Sequence, residues 1–357
     1  MDSDPVAFLE ETVPIESHES VKAMRDYLLE NVTGATPHKS GCVVAEKGDA
    51  TEEGETIVFN THMDTVAPHL PYERDEGMIR GRGACDAKGP LAAMVSAYER
   101  FDAKDSDFAV RLVISPDEET LSRGLHEYLR DEGGEDIDFA VVGEPTSLDV
   151  CTAAKGRFEA TVEFVGESAH AASGGGKNAV SYASEAVSRL ESIKAESDKL
   201  LGESRLTVTL FEGGEASNRV PERATITLDR RPLPHESAED FVALVEETLD
   251  GIECDYEMPL VERPTPFLEA FRTDEGDTYV QEFVEAVERA GGEPRVRAFE
   301  AATEASYLAE HAPVVVFGPG AISEDDGTPV AHSEREYVRT VEVRKAADAL
   351  TGFLNQS

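Results

Sequence analysis

The sequence predicts an α/β protein with a mainly parallel central sheet and an inserted second domain. Up to about Cys151, short apolar runs of strand length alternate with helical stretches, which is the pattern of parallel strands joined by crossover helices. From Lys155 onward the runs alternate as half-exposed strands, which indicates a different layer arrangement. At 357 residues the chain is also too long for one ordinary core.

Polar side chains follow the ends of the predicted strands in the first part and near the C-terminus. The apolar run at 56–59 precedes His62 and Asp64, and the run at 110–115 precedes Glu118 and Glu119. The run at 139–143 precedes Glu144. The run at 314–317 precedes Gly318 and Gly320, and His332 lies further along the chain. Between the first two runs, residues 90–101 have the apolar spacing of a helix, and Asp86 lies in the glycine-rich loop before it. Because functional sites collect at the carboxyl ends of strands in open α/β sheets, we expect these polar groups to meet.

These residue types indicate a two-metal hydrolytic centre. Imidazole and carboxylate ligands suit zinc, cobalt or manganese, and two adjacent metals can activate one water for attack. Taken singly, His62 could be a surface histidine, Asp86 a turn residue and Glu118 part of a solvated charge pair. Their joint occurrence at successive strand ends favours the metal site.

The middle of the chain predicts a domain of its own. Its predicted elements are strands at 157–165, 205–210, 224–229 and 253–258 and helices at 178–193 and 238–249. The order β-α-β-β-α-β is the split-βαβ, or ferredoxin-like, arrangement. We therefore expect a discontinuous catalytic domain of residues 1–153 and 260–357, interrupted by a domain of residues 154–259.

The formal charge of −40 is spread along the chain and comes from 73 acidic against 33 basic residues. Such a surface repels nucleic acid, whose binding needs lysine and arginine. Molar salt shortens the Debye length to a few ångströms, so the composition is interpreted as adaptation to a salt-rich cytoplasm, typical of a halophilic archaeon. An ordinary acidic protein is the alternative.

No apolar stretch has the roughly 18 residues that a membrane helix needs, and no signal peptide is visible at the acidic N-terminus. The four cysteines are widely spaced and form no close metal-binding pair. They are typical of buried thiols in a reducing compartment, so we expect a cytoplasmic protein without a membrane partner.

The sequence resembles the M20 metallopeptidase family, which includes acetylornithine deacetylase, succinyl-diaminopimelate desuccinylase, aminoacylases and glutamate carboxypeptidases. The resemblance covers nearly the whole chain. The motifs that carry it are, in family order, at 62–64, 81–89, 117–119, 143–146, 168–171, 217–221 and 331–333.

The resemblance implies a role for each residue of the site. Asp86 would bridge two metals, His62 and Glu144 would complete one site, and Glu119 and His332 would complete the other. Glu118 would be the general base, and Asp64 would hydrogen-bond the ring of His62 and orient it. The metals implied are two divalent ions per chain, zinc first and cobalt second.

In the family the inserted domain is a lid and the usual dimer surface, so the resemblance implies a homodimer. His170 would stabilise the oxyanion, from the same chain or from the partner subunit. Asn218 would face the substrate, and Arg231 would hold a substrate carboxylate, although it could instead be one of many salt-bridged arginines. Gly318 and Gly320 would line the pocket.

The expected function is release of a free amino acid from an N-acyl amino acid. The family has glutamate at the position of Glu144 in deacylases and carboxypeptidases, and aspartate in aminopeptidase-type members. The sequence departs from the family after His170, where residues 173–176 lack the usual proline. A carboxypeptidase or dipeptidase is the first alternative, and a non-catalytic binding protein with the same fold is the second.

Overall fold

The protein is described here from a computed structural model that covers residues 4–48, 54–106 and 108–355. Residues 1–3, on which the predicted absence of a signal peptide partly depends, lie outside the described residues. The chain forms two compact units. The first contains Met1–Ala153, Arg272–Phe299 and Thr303–Ser357, and the second contains Ala154–Phe271 and Glu300–Ala302.

Nine α-helices occur in the described parts of the chain. They are α1 Pro5–Thr12, α2 Lys22–Asn31, α3 Lys88–Arg100, α4 Arg123–Glu132, α5 Ala179–Leu190, α6 Ala238–Leu249, α7 Thr278–Arg289, α8 Ala305–Leu308 and α9 Thr340–Leu354. Among these residues, no helix is long and apolar enough to cross a membrane.

The strands are mostly short. They are β1 Thr36–Pro37, β2 Val43–Lys47, β3 Glu55–His62, β4 Glu73–Asp75, β5 Met78–Arg80, β6 Phe108–Ser115, β7 Phe139–Val142, β8 Val150–Ala154, β9 Phe158–Val165, β10 Ala169–His170, β11 Ser197–Asp198, β12 Gly202–Glu203, β13 Arg205–Gly213, β14 Arg219–Val220, β15 Arg223–Arg231, β16 Asp255–Glu257, β17 Phe271–Arg272, β18 Val296–Phe299, β19 Val314–Val316 and β20 Tyr337–Arg339.

The large sheet of the first unit has a parallel centre. Its strand order is β1-β2-β6-β3-β7-β19-β8-β17, with β18 paired to β8. Strand β3 pairs in parallel with β6 and β7, and β19 pairs in parallel with β7, whereas β2 and β8 join antiparallel. The prediction of an α/β fold with a mainly parallel central sheet is confirmed.

Burial on both faces explains why the central strands are continuous apolar runs. Strand β3 is buried from Thr56 to its last residue, His62. Leu91 and Met94 on α3 and Phe283 on α7 belong to the same apolar core as the strand residue Phe59. Because β3, β6 and β7 run parallel, the polar residues that follow them arrive at one edge of the sheet.

The second unit contains an antiparallel four-stranded sheet of order β13-β15-β9-β16. Alternate residues of β9 and β15 are buried and pack in one core with helices α5 and α6. Asn178 caps α5 through its side chain, and Ser237 and Asp240 form a capping box on α6. The short hairpin of β11 and β12 was not predicted, since two-residue strands leave no periodic signal.

Candidate metal centre

His62 and Asp86 form the centre of a cluster of histidines and carboxylates in the first unit. His62 ends β3 opposite Ser115 of β6, and it is 1% exposed. Its Nε2 lies 3.2 Å from Oδ1 of Asp86. Its Nδ1 lies 3.0 Å from the main-chain oxygen of Asp64 and 3.3 Å from the Oδ1 of the Asp64 carboxylate. The Nδ1 atom is therefore occupied, and Nε2 points to the cluster.

Asp86 connects the two histidines that the sequence separates most widely. Its Oδ1 faces His62, and its Oδ2 lies 3.1 Å from Nε2 of His332. The same Nε2 of His332 lies 3.1 Å from Oε1 of Glu119. Two different oxygens of one carboxylate thus face two different histidines, which is the arrangement that a bridging carboxylate requires.

Four carboxylates share this space with His62. Ligand atoms lie within 4.8 Å of one another in two groups, one of His62, Glu118 and Glu144 and one of His62, Asp86 and Glu119. With His332, which faces Asp86 and Glu119, the structure brings together the five residues that the family resemblance implies as metal ligands. Glu118, predicted as the base, lies as close to His62 and Glu144 as a ligand would.

Asp64 contacts the site in a way that the sequence did not predict. Its Oδ1 accepts a hydrogen bond from the backbone N–H of Glu118 at 3.1 Å, and its Oδ2 accepts one from the backbone N–H of Glu119 at 3.1 Å. One buried carboxylate therefore holds the backbone of both glutamates in addition to facing His62.

Burial and mutual repulsion raise the pKa values of the glutamates. Burial raises the pKa of Glu118 well above its usual value, and the charge of Glu144 adds to this. Burial and the charge of Asp86 raise the pKa of Glu144 to about 8. A carboxylate cluster of this kind is destabilised by its own negative charge.

The histidines respond in the opposite sense to the same charge. Hydrogen bonds to Asp86 and Glu119 raise the pKa of His332 to about 10. Burial alone would lower the pKa of His62, but hydrogen bonds to Asp64 and Asp86 raise it well above its usual value. Two divalent cations would relieve the carboxylate repulsion, so this donor set fits the metals that the sequence predicts.

Sequence reasoning assigned no role to Thr303 and Glu304, which lie beside the centre. The hydroxyl of Thr303 donates to Oε1 of Glu144 at 3.0 Å. Glu304 is 1% exposed and accepts from the hydroxyl of Ser115 at 2.6 Å, and burial raises its pKa to about 8. Their segment precedes the short helix α8 and has no periodic pattern that could indicate proximity to Glu144.

The structure also contains a buried ion pair that the sequence did not predict. Arg82 and Glu336 are each 1% exposed, and Nη1 of Arg82 lies 2.7 Å from Oε2 of Glu336. Arg82 belongs to the glycine-rich motif before Asp86, but nothing in the sequence indicated that its partner lies 254 positions later in the chain.

The predicted lid residues lie in the second unit. His170 and Asn218 are exposed, and the main-chain oxygen of Asn218 accepts from the N–H of Ala171 at 2.9 Å. Arg231 is half-buried and pairs with Asp229, with Nε 2.7 Å from Oδ1. The ion pair satisfies Arg231 within its own unit, so its role as a substrate clamp stays a prediction.

Gly318 and Gly320 are required by packing. A Cβ at Gly318 would lie 2.5 Å from the main-chain oxygen of Glu144, and a Cβ at Gly320 would lie 2.5 Å from Cβ of Cys85. Gly320 also has a φ of 83°, which favours glycine. Packing next to Glu144 and Cys85 accounts for both glycines, and their predicted contact with substrate is untested.

A cavity of about 640 Å³ lies elsewhere in the first unit. Among the described residues, its lining includes both arginines and glutamates, such as Arg80, Arg339, Glu334 and Glu336, but none of the candidate ligands. Its size therefore does not identify the reaction site, whereas the convergence of histidines and carboxylates does.

The chain is similar to curated proteins over most of its length. The model of "Peptidase family M20/M25/M40" matches residues 58–356. An uncharacterised metallohydrolase of Methanocaldococcus jannaschii is 30% identical over 306 residues, which are 84% of this chain and 81% of the relative. A LysW-lysine/LysW-ornithine hydrolase of Pyrobaculum aerophilum is 28% identical over 92% of this chain and 89% of the relative. Acetylornithine deacetylase of Proteus mirabilis is 26% identical, with 80% and 72% covered.

Solved structures share the fold. Aminopeptidase PepT of Bacillus cereus superposes with a TM-score of 0.81 at 20% identity, covering 98% of this chain and 97% of that one. A metallo-carboxypeptidase of Sulfolobus solfataricus gives 0.73 at 18% identity with 99% of each chain covered. A dinuclear metal-binding peptidase of Bacillus subtilis gives 0.72 at 14% identity, with 98% and 96% covered.

Proposed function

Because the chain belongs to peptidase family M20/M25/M40 and is therefore a metallohydrolase, we propose that it hydrolyses the amide bond of an N-acyl amino acid at a two-metal centre. One observation carries the proposal: Oδ1 and Oδ2 of Asp86 face His62 and His332 at 3.2 and 3.1 Å. A carboxylate placed between two histidines, with its side chain 11% exposed, is suited to bridging two cations.

His62 and Glu144 would complete one metal site, and Glu119 and His332 would complete the other. Histidine and carboxylate donors suit zinc, with cobalt as a substitute. Bound metals would supply a water of lowered pKa and polarise the scissile carbonyl. Elemental analysis after reconstitution should find about two divalent ions per chain, and a stoichiometry near zero would contradict the proposal.

Glu118 is the proposed general base. It accepts a proton from the attacking water and returns it to the departing amine nitrogen, so that one carboxylate serves both steps. Asp64 positions it, because the Asp64 carboxylate holds the backbone N–H groups of Glu118 and Glu119.

Residues 154–259 are proposed to act as a lid over the reaction. His170 would donate a hydrogen bond to the oxyanion, Asn218 would contact the substrate, and Arg231 would hold its carboxylate. Gly318 and Gly320 are proposed to line the pocket, since Gly318 packs against the main-chain oxygen of Glu144. The exposure of His170 and Asn218 supports this proposal, since both side chains are available to a ligand.

The deacylase assignment is favoured by Glu144 and by the relatives that are named acetylornithine deacetylase and LysW-lysine/LysW-ornithine hydrolase. Structural neighbours named as an aminopeptidase and a carboxypeptidase favour a peptidase as the second candidate. Turnover of acetylornithine, succinyl-diaminopimelate and a LysW-lysine conjugate should be compared with a dipeptide panel, in high salt with added zinc or cobalt. Faster turnover of dipeptides would replace the first candidate by the second.

The second unit is also proposed to form a homodimer through β13. This strand ends the order β13-β15-β9-β16, and its Leu210 and Phe211 are 60% and 44% exposed. An edge strand with exposed apolar side chains is a template for pairing with a second copy.

Leu210→Lys together with Phe211→Lys should convert the dimer to a monomer, because the lysines place charge at the paired edge. Val341→Lys is the matched control, since Val341 is 54% exposed and lies in the first unit. Sedimentation velocity at high salt measures the oligomeric state. A monomeric wild type, or a dimer that survives the double change, would contradict the proposal.

A further inference from the structure

The buried pair of Arg82 and Glu336 joins segments that are far apart in the chain. Both residues are 1% exposed, and their charged groups meet at 2.7 Å. Taking two charges out of water is costly, and a buried pair often contributes little net stability compared with apolar packing. The contacts that the two residues make with the backbone therefore indicate what the pair does.

Glu336 holds the backbone that carries the bridging carboxylate. Its Oε2 meets Arg82, and its Oε1 accepts hydrogen bonds from the backbone N–H groups of Cys85 and Asp86, each at 3.2 Å. A single carboxylate thus fixes the main chain at Asp86, whose side chain lies between the two histidines.

Arg82 holds the loop after the second histidine. Its Nη1 donates to the main-chain oxygen of Ser333 at 3.3 Å, and its Nε donates to the main-chain oxygen of Pro68 at 3.0 Å. His332 itself has a φ of 60°, in the left-handed region that non-glycine residues rarely adopt. Its side chain is 52% exposed, so packing alone does little to hold the ring. The contact at Ser333 stabilises this backbone.

We propose that Arg82 and Glu336 are positioning residues that set the spacing between Asp86 and His332 for the metals. The inference rests on the proposed two-metal function. In it, Arg82 and Glu336 hold the metal ligands in place before a metal binds. Hydrogen-bonding partners of metal ligands contribute to metal affinity by holding the ligands in one geometry.

A matched ion pair separates positioning from general stability. Arg230 and Glu236 form two hydrogen bonds of 2.7 and 2.5 Å, and their side chains are 5% and 10% exposed. Both residues lie in the second unit and contact none of the candidate ligands among the described residues. Glu236→Gln therefore disturbs a comparable pair without touching the backbone at Asp86 or Ser333.

The test compares metal binding by the full chain as wild type, Glu336→Gln, Arg82→Lys and Glu236→Gln. Arg82→Lys keeps the charge but loses the fork that reaches Pro68 and Ser333 together, which makes it the milder change. Zinc affinity of the apo-protein is measured by competition with a chelator, and bound Co²⁺ is followed by its visible absorption. Thermal unfolding of each apo-protein is measured alongside.

We expect Glu336→Gln and Arg82→Lys to weaken the affinity for at least one metal by about 10–100-fold and to change the Co²⁺ spectrum. Glu236→Gln should leave affinity and spectrum unchanged even if its melting temperature falls. If Glu336→Gln does not fold, Arg82→Lys decides the question alone.

Two results would overturn the inference: wild-type affinity and spectrum in the folded Arg82 and Glu336 variants, or an equal loss of affinity in Glu236→Gln. Failure of the wild type to bind two metals is a different outcome. It would remove the proposed function itself, and it is distinguished by measuring the wild type first.

Discussion

The two compact units place their chemically important side chains in opposite environments. In the first unit, His62, Asp64 and Glu144 are 1%, 6% and 5% exposed, and each has a hydrogen-bond partner within the unit. In the second unit, His170 ends the two-residue strand β10, Asn218 directly precedes the two-residue strand β14, and both residues are exposed. Buried donors at strand ends are positioned before any ligand arrives, whereas exposed ones must be ordered when a ligand or partner covers them.

The largest effect is expected at Glu118, the proposed base in the first unit. Glu118→Gln removes the proton acceptor but keeps the size and the backbone contacts to Asp64. Turnover should fall by about 10²–10⁴-fold, the range for general acid–base catalysis. Metal content, measured by elemental analysis, should stay at the wild-type value. Near-normal turnover with metals retained would assign the base elsewhere.

The second effect concerns His170, an exposed histidine of the second unit. His170→Ala should lower the turnover number by about 10²–10³-fold and change KM little, because an oxyanion donor acts in the transition state. His235→Ala is the matched control, since His235 is an exposed histidine of the same unit paired with Glu196. Steady-state kinetics of both variants decide the point, and equal effects would remove His170 from the mechanism.

If His170 serves the site of the partner subunit, mixing inactive Glu118→Gln and His170→Ala chains should restore activity. One site of such a heterodimer would contain both intact residues. No recovery after verified subunit exchange would place His170 in its own chain's site or outside the reaction.

The third effect is a loss of folding stability in the first unit that leaves the metal site unchanged. Asp149 is 4% exposed and contacts Arg295 at 2.8 Å and Arg297 at 2.7 Å. Burial would raise the pKa of Asp149, but the hydrogen bonds from Arg295 and Arg297 lower it below the usual value. A lowered carboxyl pKa stabilises the fold above the unfolded-state pKa of about 3.9, and this contribution is lost as the pH falls through the folded-state pKa.

Asp149→Asn should therefore lower the free energy of unfolding by about 1–3 kcal/mol at neutral pH, with metal content unchanged. The difference from wild type should be constant down to about pH 5 and shrink below about pH 4. Urea unfolding at several pH values measures it. A difference that grows on acidification would show that the carboxylate does not provide the stability.

The smallest effect per residue is the screening of surface charges by salt. It acts on the melting temperature through the sum over the whole surface. With a formal charge of −40, the melting temperature should rise between about 0.1 and 2 M KCl, because the Debye length falls from about 10 Å to below about 3 Å. Calorimetry over this range tests the halophilic interpretation. A melting temperature that does not change with KCl would favour an ordinary acidic protein.

The apolar runs predicted that His62, Glu118, Glu119 and Glu144 follow strands and that Asp86 lies in a glycine-rich loop, and the family resemblance supplied the roles proposed for them. Ser115 and His62 are paired in register, so the strand ends that carry His62 and Glu118 had to meet. The Arg82–Glu336 pair could not be predicted in this way. Its members are 254 positions apart, and charged residues are common throughout this acidic chain.

By itself, the sequence determined the α/β class, the order of strands and helices and the identity of the residues that gather at the sheet edge, because periodicity and residue chemistry are local properties. Only the tertiary structure decided how these residues are held: Asp64 on the backbone of Glu118 and Glu119, Thr303 on Glu144, and Glu336 on the backbone of Asp86. Those contacts join segments that are distant in the chain, and a hydrogen bond between distant segments depends on packing, which leaves no periodic trace in either segment.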